Sequence, residues 1–177
     1  SLKKIIQEEI EDKNNNINTR LLYTLLYADL GLEGFINNLE KRKTEHWDGV
    51  RNYQARNFLR DDMKLGDKVL FYHSNSDIIG VAGVAEICHE GYPDFTAFDV
   101  KNVHYDPSSN KENPRWYMVD VKFVECFERV VSLETLKTMP GLENMVVIRK
   151  GSRLSIQPVT EEEFEIVCKI GRKKVNS

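Results

Sequence analysis

Sixteen residues, Glu45 to Arg60 (EHWDGVRNYQARNFLR), gather one Trp, one Tyr, three Arg, two Asn and a Gln. These types do non-covalent chemistry. Rings offer faces for stacking, guanidinium groups grip carboxylate or phosphate, and amides read polar edges. Asp48 can cap a helix from about Gly49 to Arg60. At about 100° per residue, Val50, Ala55, Phe58 and Leu59 share one arc, the core face. Asn52, Arg56 and Arg60 recur on the other side, with Tyr53 at its edge. Arg51 and Gln54 fall inside the apolar arc, and an inward guanidinium must be paired or hydrogen-bonded. Two readings of Arg51 follow: a structural tie to an aspartate such as Asp120 or Asp67, or a place in the lining of a cavity. For Trp47, too, a core position stands beside a pocket wall.

A second basic segment, Met145 to Gln157, carries Arg149, Lys150 and Arg153 and no acid. Overall the formal net charge is −3, from 25 basic and 28 acidic residues. That balance argues against indiscriminate nucleic-acid binding and is compatible with a local basic patch. Three cysteines without CxxC spacing (Cys88, Cys126, Cys168) suggest neither a disulfide framework nor a zinc site. No apolar run reaches the roughly 18 residues of a membrane span, and the first residues lack a signal peptide's apolar core. The expectation is an intracellular chain with no membrane partner and no cofactor.

The elements that must position these residues are unevenly legible. Leu2, Ile5, Ile6 and Ile10 imply a short amphipathic helix over 1–13, followed by an Asn-rich linker. The run RLLYTLLYADL is strand or helix, and LEGFINNLEKRK a helical turn or two. Gly66-Asp67 announces a turn and Lys68 to His73 a strand. A second strand follows in DIIGVAGVAEICHEG, where Gly80 and Gly83 mark a bulge or a close backbone approach. Gly91 to Pro114 reads as a long irregular segment. In RWYMVDVKFVECF, Tyr117, Val119, Val121 and Phe123 alternate with mixed residues, a strand with one core face. Ser132 caps a short helix that stops before Pro140. MVVI, RKGS and RLSIQPV read as strand, turn and strand, or as a strand entering a loop, and Thr160 with Glu163 forms a capping box for a last helix. Short strands mixed with short helices, without βαβ alternation, give an α+β domain around a curved sheet or small barrel.

Six co-linear motifs between Gly34 and Val167 carry a resemblance: HWDGVRNYQARNFLR, GDKVLFYHSN, GVAEI, YPDFTAFD, PRWYMVDVKFV and RKGSRLSIQPV. Together they resemble an EVE domain. That resemblance implies a PUA-like fold, related to YTH and ASCH domains, and a reader of modified bases in DNA or RNA, with modified cytosine among the proposed ligands. The domain is expected over 21–170, between an N-terminal extension (1–20) and a basic tail (171–177). By analogy with YTH domains, Trp47 becomes the stacking wall for a flipped-out base. Arg51, Asn52, Tyr53, Tyr72, His73 and Ser74 are the other expected pocket residues. Arg56, Tyr92, Asp94, Arg149, Lys150, Ser152 and Arg153 are expected at the rim or on phosphates. His73 has the alternative of simply alternating into the sheet, and Tyr92, Pro93 and Asp94 that of turning the loop. Where the family opens with Trp-Leu-x-Lys-Ser-Glu-Pro, this chain has Thr24 to Leu30, which keeps the hydrophobicity but not the polar groups.

An aromatic platform with fixed donors and acceptors suits an extruded base. The leading expectation is therefore non-catalytic recognition. Two alternatives are a small hydrolase acting on modified nucleosides and a structural or interaction protein with a vestigial pocket. No triad, metal cluster or deaminase pattern favours catalysis.

Overall fold

A computed structural model describes residues 23–28 (by backbone alone), 42–73, 78–150 and 156–173. Among them, one sheet has the strand order β2-β5-β4-β3-β1-β6. The strands are β1 (Tyr23–Ala28), β2 (Thr44–Trp47), β3 (Lys68–His73), β4 (Gly80–Pro93), β5 (Tyr117–Ser132) and β6 (Ile156–Pro158). β1 runs parallel to β3, and the other pairings are antiparallel. The helices are α1 (Tyr53–Asn57), α2 (Leu133–Thr138) and α3 (Glu161–Gly171). This is the α+β, PUA-like arrangement of a curved sheet with peripheral short helices.

β4 and β5 form the backbone of the sheet. Four register shifts interrupt their pairing, at Val81/Gly83, Val84/Ala85, Ile87/His89 and His89/Tyr92. Each shift bends and twists the pair, so two long strands curve rather than lie flat. Gly80 is required at one end, because a Cβ there would lie 2.1 Å from the Val131 carbonyl oxygen. The bulge and the close approach expected from the interior glycines are both present.

Alternation along β3 separates two cores. Val69 and Phe71 join Trp47, Val50, Phe58, Leu59, Val119 and Val121 in one cluster. Leu70 and Tyr72 face the other way, into a cluster with Phe127, Val131, Leu136 and Val167, which α2 and α3 cover. The period of two thus distributes one strand between two cores.

Several local expectations hold. β3 begins where the Gly66 turn ends, and the ambiguous run after residue 20 is a strand. The Ser132 side chain accepts from the Thr135 N–H, and the Thr160–Glu163 capping box is complete. Others are corrected. Asp48 does not cap a helix starting at Gly49. The helix starts at Tyr53, capped by Asn52, and passes into a π-helical turn over Phe58–Asp62. The cause is backbone geometry, since Gly49 has φ +76° and gives its N–H to the Asp94 carboxylate. Its core arc survives, with Val50, Ala55, Phe58 and Leu59 all buried. MVVI forms a 3-10 turn over Val146–Ile148, closed by Ile148 N–H to the Met145 carbonyl and Arg149 N–H to the Val146 carbonyl. Met145 and Val147 are apolar because they seal the second cluster, not because they pair in the sheet. The irregular segment begins later than expected, as β4 continues to Pro93. The expected helices over 1–13 and LEGFINNLEKRK, the Asn-rich linker and the RKGS turn lie outside or largely outside the described residues.

Candidate functional site

β2 pairs with β5, setting Trp47 opposite Val119, and the chain then turns away from the sheet. Trp47 is 8% exposed, its ring 5.9 Å from that of Phe71 and tilted by 38°. The core reading of Trp47 is met, since its ring lies within the first cluster.

The residues after Trp47 are fixed by Asp94, whose side chain is wholly buried. Its Oδ2 accepts from the Gly49 N–H and from Arg51 Nη1, both at 2.9 Å. Its Oδ1 accepts from the Thr96 N–H at 2.9 Å and from Thr96 Oγ1 at 2.5 Å. Burial alone would raise the Asp94 pKa, but hydrogen bonds from Thr96, Arg51 and Gly49 outweigh it and hold the group below the usual range. Arg51 also donates through Nη1 to the Val50 carbonyl and through Nη2 to the His104 carbonyl, at 3.1 and 2.6 Å. Arg51 is thus a tied arginine, but its partner is Asp94 rather than Asp120 or Asp67. Burial and the charge of Asp94 push the neighbouring Asp48 carboxyl up.

Outside this tie lies a set of aromatic and cationic contacts. The Arg51 guanidinium carbon sits 5.3 Å from the Trp116 ring centre. Tyr53 stacks on the same indole at 4.9 Å and 25°, and the Arg56 guanidinium lies 4.9 Å from the Tyr53 ring. Trp116 Nε1 donates to Asp106 Oδ2, and Arg56 Nη1 to the Arg115 carbonyl, both at 2.6 Å. Arg51 and Tyr53 come together on Trp116, and Arg56 joins them through the Tyr53 ring and the Arg115 carbonyl. Asn52 is spent locally, its side-chain oxygen accepting from the Gln54 and Ala55 N–H groups. Gln54 is exposed, so it is no inward misfit.

Tyr92 belongs to a neighbouring cluster. Its hydroxyl donates to Asp120 Oδ1 at 2.5 Å, with His46 Nδ1 2.9 Å from the same oxygen and 3.0 Å from the hydroxyl. Burial first, then Asp120, raise the Tyr92 pKa far enough to keep its proton in place.

The remaining expected residues scatter. Tyr72 is fully buried in the second cluster, on the sheet face away from Trp47. By the alternation of β3, His73 falls on the Phe71 side; it is 8% exposed and burial lowers its pKa. Its Nε2 is buried with no hydrogen-bond partner among the described residues. Arg149 and Lys150 are exposed beyond the second cluster, with Arg149 Nη2 on the Asn144 carbonyl at 3.0 Å. Ser74, Ser152 and Arg153 lie outside the described residues.

Sequence reasoning passed over Trp116, His104 and Asp106. The alternation in PRWYMVDV placed Trp116 on the mixed face, a usable signal, whereas His104 and Asp106 sat in a segment with no period. Among the described residues no group of three or more His, Cys, Asp or Glu is arranged for a metal, and no helix is long and apolar enough to cross a membrane. The site offers ring faces, guanidinium donors and a buried imidazole, the groups of non-covalent recognition.

The same framework recurs in known proteins. A Pseudomonas syringae protein of known structure is 40% identical, with a TM-score of 0.78 over 84% of this chain and 98% of that one. The crystal structure of human THYN1 protein in complex with 5-methylcytosine-containing DNA is 44% identical, with a TM-score of 0.76 over 86% of this chain and 99% of that one. Human thymocyte nuclear protein 1 is 50% identical over 143 residues, which are 76% of this chain and 63% of that protein. The chain therefore spans a little under two thirds of that relative's length, and 58% of the chicken protein's. The model of the EVE domain matches residues 33–170, from before β2 through nearly all of α3, so the segments that build this site all lie within it. The chain belongs to the EVE-domain family.

Proposed function

We propose that this chain binds DNA carrying a modified cytosine, without covalent chemistry, by taking the base out of the duplex and against Trp47. The observation that carries the reading is the likeness to human THYN1 protein, solved with 5-methylcytosine-containing DNA. The site's chemistry supports it. An extruded base needs a π face and fixed polar groups, and duplex phosphates need exposed cations. Trp47 supplies the face and Arg56, on the Tyr53 ring, a nearby cation, while the exposed Arg149 and Lys150 lie beyond the second cluster, away from this wall. Arg51 has a different part, because its donors already hold Asp94 and the His104 carbonyl. It fixes the wall instead of gripping phosphate. A nucleic-acid ligand also implies an intracellular place for the chain, and the domain is taken as 21–170.

Fluorescence anisotropy with a duplex bearing one 5-methylcytosine tests the reading. Base–aromatic stacking is worth roughly 1–3 kcal/mol, so Trp47→Ala weakens binding roughly 5- to 150-fold. Trp47→Phe, which keeps a ring, retains most of the affinity. A folded Trp47→Ala protein that binds as tightly as wild type contradicts the reading.

A further inference from the structure

We infer that His73 is the residue that reads the polar edge of the bound base, through its Nε2 atom. The inference rests on the base-binding reading above and names the specificity-determining contact within it.

His73 ends β3, pairing with Ala28 of β1 on one side and Gly80 of β4 on the other. It is therefore flanked by strands, 8% exposed, and on the face that carries Val69 and Phe71. Residues two apart on one strand face are about 7 Å apart, so His73 stands next to Phe71, whose ring is 5.9 Å from Trp47. A polar group there ought to be hydrogen-bonded, yet Nε2 is buried and meets no partner among the described residues. An unpaired buried nitrogen bears its desolvation cost with nothing to offset it. In a site beside a stacking wall, a bound ligand removes that cost.

The kind of ligand follows from charge. Burial disfavours the imidazolium form, so His73 is neutral where an exposed histidine would begin to protonate. A neutral ring is a poor partner for phosphate, which favours a cation. It offers one N–H donor and one nitrogen acceptor, and a pyrimidine edge has an amino donor beside ring-nitrogen and carbonyl acceptors. The contact thus separates base from backbone, whereas the exposed cations address phosphate.

The test pairs affinity with stability. His73→Leu fills similar space without a polar atom, and His73→Gln keeps a polar head. His73→Leu is expected to weaken binding to the 5-methylcytosine duplex about tenfold, the scale of one lost hydrogen bond to a base edge. Its thermal midpoint stays level or rises, because an unpaired polar group has been removed. His73→Gln recovers part of the affinity. Nitrogen NMR of wild-type His73 provides a readout that needs no variant, with the Nε2 resonance shifting as the oligonucleotide is added. An unshifted resonance at saturation, or a His73→Leu protein that keeps wild-type affinity and loses stability, overturns the inference and leaves Nε2 with a structural water. If wild type binds methylated and unmethylated duplexes alike, the base-binding reading fails and takes this inference with it. If wild type discriminates and His73→Leu binds both duplexes as tightly as wild type, only the inference falls.

Discussion

Asp94 and His73 are both buried polar side chains at the ends of neighbouring elements, and their surroundings are opposite. Asp94 accepts four hydrogen bonds, from Gly49, Arg51 and twice from Thr96. His73 has a buried Nε2 that accepts or donates none among the described residues. A low-dielectric interior strengthens a satisfied group and penalises an orphan, so the two corners differ in purpose as well as in count. Asp94 ties the chain after Trp47 to the start of the β4–β5 connection and is complete without a ligand. His73 is complete only when something else supplies a partner. Burial of a polar residue does not by itself indicate function; its hydrogen-bond balance is the informative quantity.

Breaking the satisfied corner has the largest expected effect. Asp94→Ala removes the carboxylate partner of Arg51, which keeps the Val50 and His104 carbonyls, and leaves three other donors unpaired, a loss of about 3 kcal/mol, the lower end for a buried pair because Arg51 is 25% exposed. For a domain of this size that is a fall of about 10 °C in thermal midpoint, measured by circular dichroism. A loss under about 1 kcal/mol would mean that Asp94 is not the tie described here.

Gly49→Ala has a smaller effect on the same corner. Gly49 has φ +76°, and an added Cβ would lie 2.5 Å from His104 Cε1. The left-handed backbone costs a non-glycine residue about 1–2 kcal/mol. Gly66 is the control, with φ +86° and open space around its Cβ position. Both variants lose stability in denaturant melts, Gly49→Ala by more, and the excess reports the His104 contact.

The smallest effect sharpens the other corner. The pKa of His73 in the folded chain lies below the ordinary 6.5. Below that pH the unfolded chain takes up a proton that the folded chain resists. Stability is therefore full above pH 6.5 and falls as pH drops towards the lower folded value. His73→Leu lacks this contribution, so wild type loses stability relative to it in melts run from pH 7.5 down to pH 5. A constant difference between the two across that window would mean that His73 is not neutralised by burial.

What was legible in the sequence follows the range of the interactions. β3, the Ser132 cap and the Thr160–Glu163 box are set by neighbours within a few residues, and the core arc of Val50, Ala55, Phe58 and Leu59 by periodicity. The ordered motifs carried the fold. The start of α1 was misplaced because what unwinds Asp48 to Arg51 is Asp94, more than forty residues away. Distance along the chain also hid the partner of Arg51 and the gathering of Tyr53 by Trp116. MVVI failed for another reason. A short apolar run is compatible with a strand or a buried turn, and only the second cluster it seals decides between them. The state of His73 Nε2 has no signature in sequence at all, being the absence of a partner in three dimensions.

The proposed recognition of a modified cytosine is decided by equilibrium competition between two duplexes that differ only in one methyl group, on a single cytosine. Tighter binding of the methylated duplex is expected, with the preference preserved as salt weakens overall affinity, because phosphate contacts are common to both. Equal affinities at every salt concentration would rule the proposal out.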